Sequence, residues 1–218
     1  MGDPIAVTIG AFCVVFLALV VVAAVFGSRR RRREQDRMRQ WAARKGWTFT
    51  AHPHVDWGRQ LPGGNRNGID YAFSTVLRGR PVTVAQYSVT EASDGTTTNT
   101  HYPIVTVAVL KRSFPSVEVT ARARASRLKS ALFGGGETAT GNPDFDRNFR
   151  VRTTAPAAMR HWLSPSLIAA QLGGQVPSTW NMQGTELFYH RPGRLELDEI
   201  ADHAIALTPL ADLLDGGT

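Results

Sequence analysis

Cysteine is almost absent from this chain: Cys13 is the only one in 218 residues. It lies inside an apolar run, so the remainder has no disulfide, thiolate metal site or cysteine nucleophile. That is what a reducing compartment leads one to expect. Basic residues are missing from the first 28 positions, where Asp3 is the only charge. A cleaved signal peptide opens on a positive stretch and closes on a small-residue site. Here the stretch before the first arginine is Val25-Phe26-Gly27-Ser28, and it fits neither. Phosphate loops are missing as well. Gly134-Gly135-Gly136-Glu137 and Leu172-Gly173-Gly174 lack the strand-loop-helix order and the Gly-Lys-Ser/Thr ending. There is no Gly-x-Ser-x-Gly nucleophile elbow and no internal repeat. No reaction is named by any motif.

What is present is one long apolar run, Ile5 to Phe26, of 22 residues without a charge. As a helix it covers roughly 33 Å, about the hydrocarbon thickness of a bilayer. Asp3 and Pro4 suit a helix start, the acid against the positive dipole end and the proline where its missing N–H costs nothing. Valine and isoleucine are frequent in the run, but in lipid every backbone group must bond internally, so helix prevails over β-propensity. Residues 1–28 are therefore expected to be a transmembrane anchor. Five arginines follow it: Arg29, Arg30, Arg31, Arg32 and Arg33. Cationic flanks stay on the cytoplasmic side, which puts the N-terminus outside and the C-terminal domain in the cytoplasm of a single-pass cell-membrane protein.

The net charge of +7 is concentrated next to that run. Residues 29–45 hold nine basic and two acidic residues, whereas residues 46–218 hold 16 basic and 15 acidic. A nucleic-acid binder would carry a basic stripe with interleaved aromatics on its folded part. None is apparent, so nucleic acid is not expected as a partner. The arginines set topology, and each can also attract anionic headgroups with about 1 kcal/mol near the surface. Glu34 to Lys45 lacks glycine and proline, and Met38, Trp41 and Ala42 form a narrow stripe at i, i+3, i+4. Residues 29–45 are thus expected to form a basic juxtamembrane helix that Gly46 stops.

Residues 46–215 are long enough for one domain with a real core. A short strand is expected at Trp47–Thr50, and alternation over Ile69–Leu77 marks a half-buried strand. Arg78-Gly79-Arg80 reads as a turn, Pro81–Thr90 as the returning strand and Ser93–Thr100 as a polar loop. Tyr102–Leu110 is apolar on both faces, as in a central strand. Phe114–Thr120 is expected to be a further strand. Ala121–Phe133 then turns helical, with Arg122, Arg124, Arg127 and Lys129 around Leu128 and Leu132. A strand at Phe149–Thr153 and a helix at Pro156–Leu163 follow. Ser164-Pro165 caps a second helix closed by Gly173. A hairpin is expected at Thr179–His190 about Gln183-Gly184, and a helix at Asp198–Leu207. Thr208-Pro209 opens a short last helix. The mixture without regular alternation predicts an α+β fold, a largely antiparallel sheet packed against helices.

Two patterns invite a chemical reading. His52-Pro53-His54-Val55-Asp56 offers two imidazoles and a carboxylate that can converge on zinc. It resembles the metallo-β-lactamase metal motif superficially, but Trp57 stands where that family has a second histidine after the aspartate. Asp144-Phe145-Asp146 pairs two carboxylates, with Arg147, Arg150 and Arg152 beside them to form ion pairs. Charge is also uneven along the domain. Lys111–Arg160 holds ten basic and four acidic residues, and Glu186–Asp215 two basic and seven acidic. The positive part can face the cytoplasmic leaflet, or the two can pair within the fold.

Trp41-Ala42 with Gly46-Trp47, the stretch Gly141-Asn-Pro-Asp144-Phe-Asp-Arg-Asn-Phe149-Arg-Val151, and Leu163-Ser-Pro165 follow an anchor and a basic run. In that order they resemble uncharacterised single-pass membrane-anchored proteins of high-GC actinobacteria, and the Arg- and Ala-rich composition agrees. The resemblance implies a membrane-tethered domain with no assigned activity, and it carries over no catalytic residue. The expectation is a non-enzymatic interaction or scaffold domain without a cofactor. Its partners would be the bilayer, anionic lipid and an unidentified protein. The residues expected at the membrane surface are Arg29, Arg30, Arg31, Arg32, Arg33, Arg122, Arg124, Arg127 and Lys129. The alternatives are a membrane-anchored metal-dependent hydrolase using His52, His54 and Asp56, or an extracytoplasmic envelope-binding domain if the topology is inverted.

Overall fold

The computed structural model describes residues 26–61, 68–93, 97–122 and 136–216. Two compact units divide the chain, Met1–Lys45 and Gly46–Thr218. In the first, residues 26–45 are α-helical (α1) and the helix runs through Gly27 and Ser28 without a break. Among the described residues no helix is long and apolar enough to cross a membrane. The apolar run Ile5–Phe26 lies outside the described residues except for Phe26.

The second unit is α+β, with an antiparallel six-stranded sheet at its centre. Its strands are β1 (Thr48–Ala51), β2 (Ile69–Leu77), β3 (Arg80–Tyr87), β6 (Pro103–Ala121), β7 (Phe149–Thr153) and β8 (Trp180–Pro192). The sheet order is β1-β2-β3-β6-β7, with β8 also pairing with β6. A separate hairpin pairs β4 (Val89–Ser93) with β5 (Thr97–His101): the strand expected over Pro81–Thr90 divides between β3 and β4, and β5 takes up part of the polar loop expected over Ser93–Thr100. The β2–β3 turn is two residues long, with Arg78 and Gly79 both at positive φ (51° and 77°), the backbone that suits strand twist in a tight hairpin.

Antiparallel register sorts the side chains onto two faces. Ala72, Ala85, Val105 and Val107 share one face and pack with Phe188, Trp57 and Leu61. A 3-10 helix, Asp56–Gln60, carries Trp57 onto this cluster, ring edge against Phe188 at 6.2 Å. The other face presents Phe73, Val84 and Thr106, then Val82 and Ala108. Arg80 lies on this face too and binds Asp212 and Asp215 of helix α4 (Ile200–Gly216), at 3.1 and 2.6 Å. The helix buries Ile200, Ala204, Leu207, Leu210, Ala211 and Leu214. Arg112 closes its end by donating to the Leu214 carbonyl at 2.7 Å. At the far end of β6, Val117 and Val119 are buried beside Trp180, Met182, Val151 and Phe149. Helices α2 (Pro143–Asn148) and α3 (Pro165–Leu172) bury Phe145 and Leu167. Ser164 caps α3 through Leu167 N–H, as its sequence predicts.

Several expected elements need correction. The two strands expected over Tyr102–Thr120 are one, β6, and the hairpin expected about Gln183-Gly184 is one strand, β8. Both differences fall at one place. The β6–β8 register shifts on either side of Phe114, which faces Gly184, a glycine at φ 62°. Bulges admit glycine and proline as readily as turns do, so Pro115 and Gly184 mark a bend in the sheet. Pro156–His161 is a 3-10 helix. Thr208-Pro209 does not start a helix but lies within α4, because Leu207, Leu210 and Leu214 keep one buried stripe across it. The helix expected over Ala121–Phe133 starts as strand instead, since β6 extends to Ala121. Residues 123–135, with Arg124, Arg127 and Lys129, lie outside the described residues.

Candidate functional site

Arg29, Arg30, Arg31, Arg32 and Arg33 sit on consecutive positions of α1 and all are exposed. Successive residues turn by about 100° around a helix, so five of them sweep more than a full circle. They form a collar around the helix and not a stripe along it. Arg30, Arg31 and Arg32 each point to a different side of the helix. The other described member of the expected basic set, Arg122, belongs to the second unit and is engaged by Glu137. Further along α1, Asp36 pairs with Arg39 at 3.1 Å and Arg44 bonds the Gln40 carbonyl, local contacts of a solvated helix.

The His-x-His-x-Asp segment is not gathered. Val55 packs against the Trp57–Phe188 cluster, and His52, His54 and Asp56 are exposed. Pro53 and the positive φ of His52 (47°) shape a connector whose His52 N–H bonds the Asp70 carbonyl. Among the described residues no group of three or more His, Cys, Asp or Glu side chains is placed to hold a metal ion. Burial raises the Asp70 carboxyl above the usual range, and the nearby His52 partly opposes that shift.

Asp144 and Asp146 both lie on α2 and are engaged locally. Asn142 caps the helix through the Asp144 and Phe145 amides, and Asp146 accepts from the Thr140 amide and hydroxyl. Asp144 pairs with Arg147 one turn on. Beside them is a denser ionic cluster. On β7, Arg150 faces Thr120 and Arg152 faces Glu118 across to β6, with Arg122 just past the end of β6. Glu137 binds both Arg122 and Arg150, and Arg152 reaches Glu118 at 3.6 Å. Among the described residues, these arginines of the basic region thus pair with acids of that same region. The acidic C-terminal part pairs with Arg78 and Arg80. The two parts also meet through backbone groups, Lys111 N–H donating to Asp215 and Arg112 to the Leu214 carbonyl.

A second set of polar groups lies by the Trp57 cluster, and little in the sequence points to it. On β8, Glu186, Phe188 and His190 share one face by alternation. Glu186 accepts from Gln60 Nε2 at 3.2 Å, and burial raises its carboxyl pKa. The His190 ring stacks on Phe188 at 6.4 Å. Although the residue keeps some accessible surface, neither ring nitrogen is reached by solvent or has a partner among the described residues. Burial drives its pKa down to about 4, so the ring is neutral at physiological pH. Tyr87, buried in the same cluster, has its phenol pushed up by desolvation. Only the i, i+2 spacing of Phe188 and His190 hints at this placement, and isolated histidines rarely stand out in a sequence.

No protein-family model and no curated protein matches the chain. Among solved structures the chain is similar to the crystal structure of the mycobacterial trehalose monomycolate transport factor A, TtfA. The two share 13% identity and superpose with a TM-score of 0.52, over 83% of this chain and 95% of that one. At this identity the likeness concerns the fold.

Proposed function

We propose that the chain is a membrane-tethered, non-enzymatic interaction domain. It is anchored through residues 1–28, with its N-terminus outside and residues 46–215 in the cytoplasm. The observation that carries this is the arginine collar, Arg29–Arg33, on a helix that directly follows a 22-residue apolar run. A ring of cations suits a helix leaving a bilayer along its normal. An amphipathic stripe would suit one lying in the surface. Residues around the collar can meet anionic headgroups on every side.

The fold likeness adds a role to this reading. TtfA is named a trehalose monomycolate transport factor, and on the fold likeness we extend the proposal to a part in the transport of a molecule of that kind. The mycobacterial source of TtfA also supports placing this chain with the actinobacterial membrane-anchored proteins that its sequence resembles. The test is alkaline extraction of membranes from cells making the full chain. The protein is expected to stay in the pellet and to enter the detergent phase. Release into the supernatant would remove the anchor and the tether with it.

A further inference from the structure

The outer face of the β6–β7 ribbon carries cations that packing does not require. Val119 and Val151 turn into the core with Phe149 and Trp180. Arg150 and Arg152 alternate with them and project the other way, and Arg122 stands two residues beyond Thr120 on that same side. Arg122 is held in place by its Nε, which donates to the Asp146 carbonyl at 2.7 Å. Its Nη2 meets Glu137 Oε1, and its Nη1 lies 3.5 Å from Glu137 Oε2. Arg150 Nε donates to that second oxygen at 3.1 Å. One carboxylate is thus clasped by two guanidinium groups.

A phosphate group makes the same demand, since planar forks deliver parallel N–H donors to its oxygens. The two arginines stand on or beside strands. Glu137 stands on residues 136–140, which form neither helix nor strand. The cations thus stand on or beside the sheet, and the anion comes from a connector that the Thr138 N–H ties to the Val151 carbonyl at 2.8 Å, so that Glu137 is displaced by a movement of its side chain. The face is also left unbalanced. Among the described residues three arginines meet two glutamates there, and the buried Arg152 Nε–H has no acceptor. Arg122, Glu137, Arg150 and Arg152 each keep between a quarter and two fifths of their side chains exposed, within reach of solvent.

We propose that Arg122 and Arg150 form a binding site for a phosphate group and that Glu137 is its built-in plug, displaced when the phosphate enters. This deepens the lipid-contact part of the reading above, by naming the group that Arg122 meets and the residue that opposes it. The phosphate can belong to the free ion or to an anionic headgroup.

The full chain is placed in phosphatidylcholine nanodiscs with Arg29–Arg33 unaltered. Inorganic phosphate is titrated by calorimetry. Liposomes of phosphatidylcholine, with or without phosphatidylglycerol, are scored by co-flotation. Glu137→Gln keeps the size of the side chain and removes its competing charge. Binding of at least one probe should rise about fivefold, the weight of one charge near an anionic surface. Adding Arg150→Gln should cancel the gain. Arg150→Lys, which keeps the charge but loses the fork, should cancel most of it. A gain with inorganic phosphate alone assigns the site to the free ion; one with anionic liposomes alone assigns it to a headgroup. No gain with either probe, or a gain indifferent to Arg150, overturns the proposal. If Glu137→Gln does not fold, Arg150→Gln alone decides, and unchanged binding of both probes is then the overturning result. A chain recovered outside the nanodiscs would sink the tether while leaving the phosphate titration to judge this site.

Discussion

At His190 a strand delivers an imidazole into an apolar layer where neither nitrogen finds a partner among the described residues. A neutral ring tolerates this better than a charged one, which is why its pKa falls to about 4. The consequence for stability has a definite sign. Above about pH 6.5 the ring is neutral in both the folded and unfolded chain, and nothing is lost. Below that, the unfolded chain takes up the proton first, so stability falls as pH drops to about 4, by up to roughly 3 kcal/mol. His203, also lowered chiefly by burial, adds a loss of the same sign. Asp70 and Glu186, both raised by burial, work in the opposite direction, favouring the fold at low pH and losing that as they ionise. His190→Phe keeps the stack on Phe188 and removes the titration. Urea denaturation at pH 7 and pH 4.5 should show the variant losing clearly less stability between the two than the parent chain. Equal losses would mean that the ring is not shielded in the way its burial implies.

Among the elements, α4 ties its own end of the chain to the sheet, and it holds a proline at its middle. Pro209 is exposed, lacks an N–H for the Ile205 carbonyl, and follows Thr208, whose hydroxyl bonds back to the Ala204 carbonyl at 3.3 Å. Pro209→Ala should therefore stabilise the domain by about 2 kcal/mol, the helix-interior penalty of about 3 less about 1 for the freer unfolded chain. A rise in the urea midpoint at unchanged slope is the expected result. A fall would show that α4 needs its proline to fit the sheet. The same residue explains how much of the fold is legible in the chain. Local signals hold where a side chain meets its own backbone, as at Ser164 before α3, or where alternation is uninterrupted, as in Ile69–Leu77. They mislead where tertiary packing outweighs them. Thr208-Pro209 looks like a helix start, but the buried stripe of Leu207, Leu210 and Leu214 carries the helix across it. Pro115 and Gly184 look like turns, but they stand at a bend between two long strands that hold each other in register. For the candidate sites, the arginine collar is plain because Arg29, Arg30, Arg31, Arg32 and Arg33 are contiguous. The Arg122–Glu137–Arg150 clasp is not, since the β6–β7 register brings its residues together across a gap in sequence.

At the scale of the whole molecule, charge is sorted by segment: a collar of arginines on the first unit, and a nearly neutral second unit in which, among the described residues, Arg122, Arg150 and Arg152 pair with acids of their own region while Asp212 and Asp215 pair with Arg78 and Arg80. On the proposed tether, orientation and lipid attraction are two separable tasks of the collar. Orientation follows the difference in Lys and Arg across the apolar run, with acidic residues counting little. If Arg29–Arg33 all become glutamine, Arg37, Arg39, Arg44 and Lys45 still stand after the run and no Lys or Arg stands before it. The bias survives, so a reporter fused after Thr218 should remain active in the cytoplasm and silent outside. Lipid attraction depends on cations close to the surface, at about 1 kcal/mol each, and it falls off within a Debye length of about 10 Å. Arg37 to Lys45 begin four residues beyond the collar, about 6 Å further along the helix, and extend to about 18 Å. They replace the lost attraction poorly. The five-glutamine variant should thus keep its topology while losing most of its enrichment of phosphatidylglycerol, measured in the lipid co-purified with the full chain in native nanodiscs. A variant that inverts would assign the collar to orientation. One that keeps both its topology and its lipid enrichment would place the lipid contact elsewhere on the chain.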